Sequence, residues 1–181
     1  MKKYIYILLI ACFYNCDSEN AGDCVQTAGN IIKSVVELPS FNKIVVHKNV
    51  ELIIIDGPVQ KVEIETGENL LNDIKVEVIN NELILKNDND CNFFRDYNLT
   101  KIFVTSPDIN TIRNASELNV YSIGVLTYPS LYLKSVGETG DFLSVGDFHL
   151  NIENVDVVVL GNGIANFYID GVPHPEYLDE V

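Results

Sequence analysis

The sequence predicts an all-β protein, specifically a single-stranded parallel β-helix, with an antiparallel β-sandwich as the alternative. From Phe41 onward, apolar and polar residues alternate with a period of two, which is typical of strands. No segment has a convincing helical period. Glycine, asparagine and serine separate the short apolar segments, as turn residues do.

The predicted strands follow one another along the chain with short connections. In chain order they are Ile31–Leu38, Lys43–His47, Val50–Ile54, Lys61–Glu65, Ile74–Val78, Glu82–Leu85, Ile102–Val104, Leu118–Val120, Leu131–Leu133, Leu150–Ile152, Val157–Val159 and Phe167–Ile169. Isoleucine and valine are frequent in them, which suits the pleated surface of a sheet. Asn80–Asn81 predicts a hairpin turn, Asp56–Pro58 predicts a second turn, and Gly67–Asn72 predicts a single helical turn.

The spacing of the later strands separates the two architectures only slightly. Pairs of inward-type positions recur at Leu118/Val120, Leu131/Leu133, Leu150/Ile152 and Phe167/Ile169, in steps of 13, 19 and 17 residues. A period of about 20 residues with asparagine and glycine corners fits a parallel β-helix. Many short strands also fit a sandwich. The spacing therefore favours the β-helix by a small margin.

Length and charge limit the functions open to the protein. The chain has 181 residues and a net charge of −14, from 26 acidic and 12 basic side chains. This excess of negative charge argues against binding to nucleic acid or to an anionic lipid surface. The hydrophobic content of 47% is too high for a disordered chain, and the length fits one domain.

Residues 1–15 predict a lipoprotein signal peptide rather than a part of the fold. Two lysines precede an uncharged stretch of 12 residues ending at Asn15, too short for a membrane-spanning helix of about 20 residues. The polar sequence that follows predicts lipidation of Cys16, with residues 16–30 as a polar tether. Cys12 is the alternative because the residues before it match the usual lipobox better. We prefer Cys16 because processing at Cys12 leaves an apolar core of only about seven residues.

The number of cysteines agrees with lipidation of Cys16. It leaves Cys24 and Cys91, an even pair for an exported protein. These two residues could form a disulfide that ties the tether to the first strands, contributing about 4 kcal/mol in the chain-entropy model. A stable lipid anchor makes the membrane a partner and predicts a place at the outer membrane or cell surface.

Several segments resemble the bacterial head GIN domain family, whose description is "putative auto-transporter adhesin". The resemblance begins with Phe41–Gly57, which reads FNKIVVHKNVELIIIDG. Similar segments follow at Val62–Leu71, Ile74–Val76, Leu83–Leu85 and Ile102–Ile109. Cys16–Asn20 and Cys24 resemble lipoprotein members, and the acidic residues after Cys16 resemble the surface-export tether of Bacteroidetes-type bacteria. The resemblance covers roughly residues 16–171.

The resemblance implies an exported parallel β-helix over residues 31–171 that acts at the cell surface or outer membrane. It implies no active site, because the family carries no catalytic signature that maps onto this chain. The sequence departs from the family after Phe167–Ile169, where residues 172–181 form an acidic tail with two prolines. This tail either caps the solenoid or marks a truncation.

The sequence contains no metalloprotease, paired-cysteine or phosphate-loop motif. We predict a non-enzymatic, adhesin-like or structural surface module without a cofactor or a bound metal. Asn87–Asn92 clusters oxygen ligands suited to Ca²⁺ but lacks EF-hand spacing and a closing glutamate. The alternative function is a Ca²⁺-dependent polysaccharide-active enzyme. Its substrate would need basic partners, and Arg95, Lys101, Arg113 and Lys134 are sparse and apart in the sequence.

A set of tyrosines is the candidate binding surface for a glycan or a surface protein. An outward aromatic stripe would comprise Tyr121, Tyr128, Tyr132 and Tyr168. Ordinary strand tyrosines with solvated hydroxyl groups are the plainer interpretation. The histidines, His47, His149 and His174, have no metal-ligand spacing and are interpreted as packed or solvent-facing.

Overall fold

The computed structural model describes most of the chain between Cys24 and Pro173. The described residues are 24, 26–89, 91, 96, 98–136, 145–153, 156–161, 165–170 and 172–173. Cys12 and Cys16, most of the predicted tether and residues 174–181 of the predicted tail lie outside them.

Fourteen strands and one 3-10 helix lie in the described residues. The strands are β1 (Ile31–Val36), β2 (Lys43–Val46), β3 (Glu51–Asp56), β4 (Lys61–Gly67), β5 (Ile74–Ile79), β6 (Glu82–Asn87), β7 (Lys101–Ser106), β8 (Thr111–Asn114), β9 (Val120–Ile123), β10 (Ser130–Ser135), β11 (Phe148–Leu150), β12 (Asp156–Gly161), β13 (Phe167–Ile169) and β14 (Val172–Pro173). The 3-10 helix, Glu68–Asp73, occupies the segment where one helical turn is predicted. The sequence does not predict β8 and β14, and the predicted strands Leu118–Val120 and Leu150–Ile152 share only one residue each with β9 and β11. None of the described helices is both long and apolar enough to cross a membrane.

The described strands form two mixed sheets. Sheet A has eight strands in the order β1-β4-β7-β3-β9-β11-β13-β14, and sheet B has six in the order β12-β10-β8-β2-β6-β5. Antiparallel pairs join β1 to β4, β4 to β7, β5 to β6 and β13 to β14, while the remaining neighbours are parallel. The predicted single-stranded parallel β-helix is therefore wrong. The described strands form a sandwich-like pair of open sheets and do not close into a solenoid, and neither sheet is purely antiparallel.

The alternation of the chain between the two sheets explains the error. From β7 to β13, each successive strand lies in the sheet opposite its predecessor, so strands of the same sheet recur at every second element. This recurrence produces a repeated spacing like that of a coil. The antiparallel pairs in the first half of the chain are incompatible with a coil, but they do not alter the alternation of apolar and polar residues from which strands are predicted. Apolar alternation predicts a strand and its faces, but not which sheet the strand joins.

The hydrophobic core is a single cluster between the two sheets. Sheet A contributes Leu52, Ile54, Val62, Ile64, Ile102, Val104, Val120, Phe148, Leu150 and Phe167, and sheet B contributes Ile44, Val46, Leu83, Leu85, Ile112, Leu131 and Leu133. Alternate residues of each strand point into this layer, and the residues between them point outward. The outer faces of the sheets are therefore the surfaces on which binding residues can lie.

Asparagines close several corners of the fold. The predicted hairpin turn at Asn80–Asn81 is confirmed: both residues have positive φ, and β5 and β6 are antiparallel on either side. At the end of β8 the side chain of Asn114 is fully buried. Its amide nitrogen donates to the carbonyl oxygens of Leu118 (2.9 Å) and Gly146 (3.0 Å), and its oxygen accepts from the backbone N–H of Ser116 (3.0 Å). One side chain thus replaces the backbone partners that a sheet would supply.

A disulfide and a buried amide network hold the first described residues against the sandwich. Cys24 and Cys91 are bonded to each other across a sequence separation of 67 residues. Beside them Gln26 and Asn89 are buried, and the Asn89 amide donates to the Gln26 side-chain oxygen (3.0 Å). The Gln26 amide donates in turn to the carbonyl oxygen of Asn69 (2.8 Å). The segment before β1 is therefore held to the 3-10 helix and to the segment that follows β6.

Candidate functional site

A row of aromatic and aliphatic side chains crosses the outer face of sheet A. The strand registers place Phe103 of β7, Ile53 of β3, Tyr121 of β9, His149 of β11 and Tyr168 of β13 directly beside one another. We call this set the aromatic row. Its residues come from five strands, and the first and last of them in the sequence, Ile53 and Tyr168, are 115 positions apart. Only the pairing of the strands brings them together.

The last three members of the aromatic row are stacked. The ring centroids of Tyr121 and His149 lie 5.1 Å apart with 14° between the ring planes. Those of His149 and Tyr168 lie 4.6 Å apart with 2° between the planes. Cross-strand aromatic pairs of this kind stabilise a sheet and fix their own orientation. The row therefore presents a rigid edge that carries two phenol groups and an imidazole.

The opposite end of the aromatic row is covered by a charged side chain. The Lys33 ammonium lies 4.8 Å from the centroid of the Phe103 ring. It also pairs with the carboxylates of Glu65 (2.9 Å) and Glu63 (3.6 Å). Because Lys33 covers Phe103 and is itself paired with two glutamates, we expect a ligand site at the other end of the row, beside Tyr168.

A depression of about 320 Å³ lies next to the Tyr168 end of the row. It is lined by Ser122, His149, Leu150, Asn151, Tyr168 and Asp170. The Ser122 hydroxyl accepts from the backbone N–H of Asn151 (2.8 Å), and one Asp170 carboxylate oxygen accepts from the N–H of Ile152 (2.8 Å). The aromatic wall can cover an apolar ring face, while hydroxyl, amide and carboxylate groups can exchange hydrogen bonds. This combination suits a ligand rich in hydroxyl groups.

The structure brings together only two of the four predicted tyrosines. Tyr121 and Tyr168 share the aromatic row, whereas Tyr132 lies on the outer face of sheet B. Tyr128 is not an outward residue, so its place in the predicted stripe is wrong. It is 1% exposed, and its hydroxyl donates to the carbonyl oxygen of Ser106 (3.2 Å). Burial raises the pKa of the Tyr128 phenol well above its usual value.

His149 is the functional candidate that sequence reasoning misses. It is one of the histidines interpreted as packed or solvent-facing, and it stacks between the two tyrosines of the row. The alternation in the sequence places both His149 and Tyr168 at outward positions. The sequence does not show that their two strands are neighbours in sheet A.

The candidate Ca²⁺ loop is already occupied by internal contacts. Asp88 pairs with the ammonium groups of Lys75 and Lys86. Hydrogen bonds from these two lysines lower the pKa of the Asp88 carboxyl to about 2. Asn87 is buried and its amide donates to Thr100 Oγ1 (3.1 Å), while Asp90 and Asn92 lie outside the described residues. Within the described part of the chain, no group of three or more His, Cys, Asp or Glu side chains could hold a metal ion.

Comparisons with known proteins find a matching family model and several similar solved structures. The family model described as "Putative auto-transporter adhesin, head GIN domain" matches residues 40–171. A crystal structure of a "putative adhesin" from Bacteroides fragilis is 22% identical, with a TM-score of 0.63, and the match covers 78% of this chain and 63% of that one. No curated protein matches the chain.

Two further solved structures have the same fold at lower identity. "Putative adhesins" from Parabacteroides merdae and Parabacteroides distasonis are 14% and 13% identical, with TM-scores of 0.51 and 0.52. The matches cover 72% and 79% of this chain, and 56% and 66% of those chains. The chain thus spans less than two thirds of the length of these three proteins, and the likeness concerns their fold.

Proposed function

We propose, from the premise that this chain belongs to the head GIN domain family, that it is a non-enzymatic binding module of the bacterial envelope with an adhesin-like role. The domain is exported by the leader at residues 1–15 and is held at the outer membrane or cell surface by a lipid on Cys16, with Cys12 as the alternative. Of the predicted tether, residues 16–30, the part from Cys24 onward is held against the sandwich by the disulfide and by Gln26, so the tether proper is the part before Cys24. The ligand is a neutral glycan, bound at the Tyr168 end of the aromatic row.

The observation that carries this proposal is the rigid aromatic edge beside a polar depression. His149 and Tyr168 form one wall of the depression, and Ser122, Asn151 and Asp170 supply donors and acceptors. A sugar ring has C–H groups that pack against an aromatic ring and hydroxyl groups that both donate and accept. Sites of this kind combine apolar walls with a few fixed polar groups. The rows of paired strands hold these side chains in place before the ligand binds, which lowers the entropic cost of binding.

A glycan panel tests the binding site. We expect the purified protein to bind a subset of neutral oligosaccharides, and Tyr168→Ala and His149→Ala each to weaken that binding about tenfold or more. Tyr132→Ala is the matched control, because it removes the same side chain from the other sheet and should leave this affinity unchanged. Equal losses in the control and in Tyr168→Ala would contradict the assignment of the site. The absence of binding across a broad neutral panel would refute the glycan proposal.

Product analysis distinguishes the module from the alternative enzyme. A Ca²⁺-dependent polysaccharide-active enzyme would release unsaturated or reducing ends from acidic glycans. We expect no release over long incubation with Ca²⁺, and reproducible release would overturn the non-enzymatic proposal.

Mass spectrometry of the mature N-terminus tests the anchor. We expect an acylated peptide that begins at Cys16 in the membrane fraction of the native host. A peptide that begins at Cys12 would select the alternative residue. An unmodified N-terminus in the secreted fraction would contradict lipid anchoring.

A further inference from the structure

Two cations lie directly opposite each other on the outer face of sheet B. Arg113 of β8 and Lys134 of β10 are partners in the parallel register of these strands. The sequence separates them by 21 positions, so they are distant along the chain and adjacent in the fold. We call these residues the cation pair. They lie on the sheet that does not contain the aromatic row.

The cation pair has no anionic partner within the described residues. Every ion pair that the structure describes involves other lysines, namely Lys33, Lys61, Lys75, Lys86 and Lys101. The Arg113 Nε atom is buried and has no hydrogen-bond acceptor among the described residues. Among the described residues, these two basic groups are therefore left without an ion-pair partner.

This arrangement is unfavourable in the protein alone. Like charges directly opposite each other in a sheet repel, and a buried N–H without an acceptor loses a hydrogen bond that water would supply. An anion placed between the two groups at the surface relieves the repulsion between them. The guanidinium group of arginine binds carboxylate and sulfate groups through two parallel hydrogen bonds.

The neighbours of the cation pair indicate what carries the anion. Tyr132 lies two positions before Lys134 on the same face, and Thr111 of β8 is its register partner. On the other side of Tyr132 lies Val158 of β12, which is 44% exposed. An aromatic ring, a hydroxyl group and an exposed aliphatic surface beside two cations fit a sugar ring that bears an acidic group.

The net charge of the whole chain limits which anionic ligands can bind at the cation pair. A net charge of −14 opposes a nucleic acid or an anionic membrane, which present many phosphates at once. A single acidic group at the cation pair meets two positive charges. The remaining negative charges are screened beyond about 8 Å at physiological salt. The local charge therefore complements a small anionic group rather than an extended phosphate surface.

We propose that the outer face of β8 and β10 is a second binding site, which takes the carboxylate or sulfate group of an anionic saccharide at Arg113 and Lys134. Tyr132 packs against the sugar ring. This site is separate from the neutral-glycan site of sheet A and does not depend on it.

Calorimetric titration of the purified protein tests the second site. The probes are a galactose oligomer that carries one galacturonate residue, the same oligomer with one sulfate group, the unmodified neutral oligomer and a glutamate-containing peptide. We expect the oligomer with one carboxylate or the one with one sulfate to bind, and the neutral oligomer and the peptide to bind at least about tenfold more weakly. Arg113→Gln and Lys134→Gln should each reduce the affinity for the anionic saccharide about tenfold. Lys101→Gln is the matched control, since it makes the same change of charge on sheet A and should leave the affinity unchanged.

Stability and specificity separate this proposal from its competitors. We expect Arg113→Gln and Lys134→Gln to keep or raise the melting temperature, because each removes a like-charge contact. Loss of binding together with a lowered melting temperature would indicate a structural role and overturn the proposal. An equal loss of saccharide affinity in Lys101→Gln would show that the effect is one of overall charge and would overturn the proposal. An affinity for the peptide equal to that for the anionic saccharide would overturn it as well. Tyr168→Ala should not change the binding of anionic saccharides, so either glycan site can fail without the other.

Discussion

Replacement of Asn114 by alanine is the most direct test of how the corners of this sandwich are held. The side chain is fully buried at the end of β8. It donates to the carbonyl oxygens of Leu118 and Gly146 and accepts from the N–H of Ser116, at 2.9, 3.0 and 3.0 Å. Alanine keeps none of these bonds and leaves three buried backbone groups without their partner.

The expected cost follows from the number of bonds. A hydrogen bond contributes about 1 kcal/mol net, and a buried group left without a partner costs about 1–3 kcal/mol. Three bonds therefore predict a loss of about 3 kcal/mol or more in the free energy of unfolding. For a domain of this size that loss lowers the melting temperature by roughly 6–12 °C.

Urea denaturation measures this loss. We expect Asn114→Ala to lower the midpoint with an unchanged m-value, which indicates a change in stability rather than in compactness. Asn166→Ala is the matched control, because Asn166 is exposed and, among the described residues, its side chain bonds to the Asp147 carboxylate alone (3.1 Å). It should cost less than about 0.5 kcal/mol. A loss below about 1 kcal/mol for Asn114→Ala would refute the argument that one amide replaces three backbone partners.

Three further changes should have measurable effects. Cys24→Ala with Cys91→Ala should lower the free energy of unfolding by about 4 kcal/mol in the chain-entropy model, and an unchanged midpoint under reducing and oxidising conditions would contradict this. Tyr128→Phe should cost about 1 kcal/mol, because it removes the donor to a buried carbonyl oxygen, and a neutral result in thermal denaturation would contradict the described bond. The Asp88 carboxyl, whose pKa is lowered to about 2 first by its hydrogen bond to Lys75, contributes stability that is fully present above the unfolded pKa near 4. That contribution is lost as the pH falls from about 4 to about 2, so Asp88→Asn should flatten the acid limb of the stability curve, and an unchanged limb would argue against the ion pair.

The strands could be predicted from sequence because the signal for them is local. Alternation within Glu82–Leu85, for example, assigns both the strand and its inward face without reference to a partner. Sheet membership depends on partners far away in sequence, as where Glu51 of β3 pairs with Lys101 of β7. The repeated spacing of the later strands is compatible with a coil and with alternation between two layers. The prediction of a β-helix failed at that step.

The candidate sites could be predicted only in part, because the sequence does not show which strands are neighbours in a sheet. The outward positions of Tyr121 and Tyr168 could be predicted, but their contact through His149 requires the order of three strands in sheet A. Tyr128 was misplaced because it follows β9 in an irregular segment, where alternation assigns no face. In the sequence Arg113 and Lys134 are isolated cations, and only the register of β8 with β10 makes them neighbours.

The disulfide also determines how the domain responds to mechanical tension. If the domain is anchored through its N-terminus and bound to a surface, as proposed above, a pulling force reaches the described fold first at Cys24. Without the bond, only hydrogen bonds such as those of Gln26 would separate that force from β1. β1 is an edge strand whose pairing with β4 begins at Ile31, so its hydrogen bonds would then break one after another. With the bond, part of the force passes through Cys91 to the segment after β6 of sheet B. The tension is then shared between both layers, and the edge strand is protected from peeling.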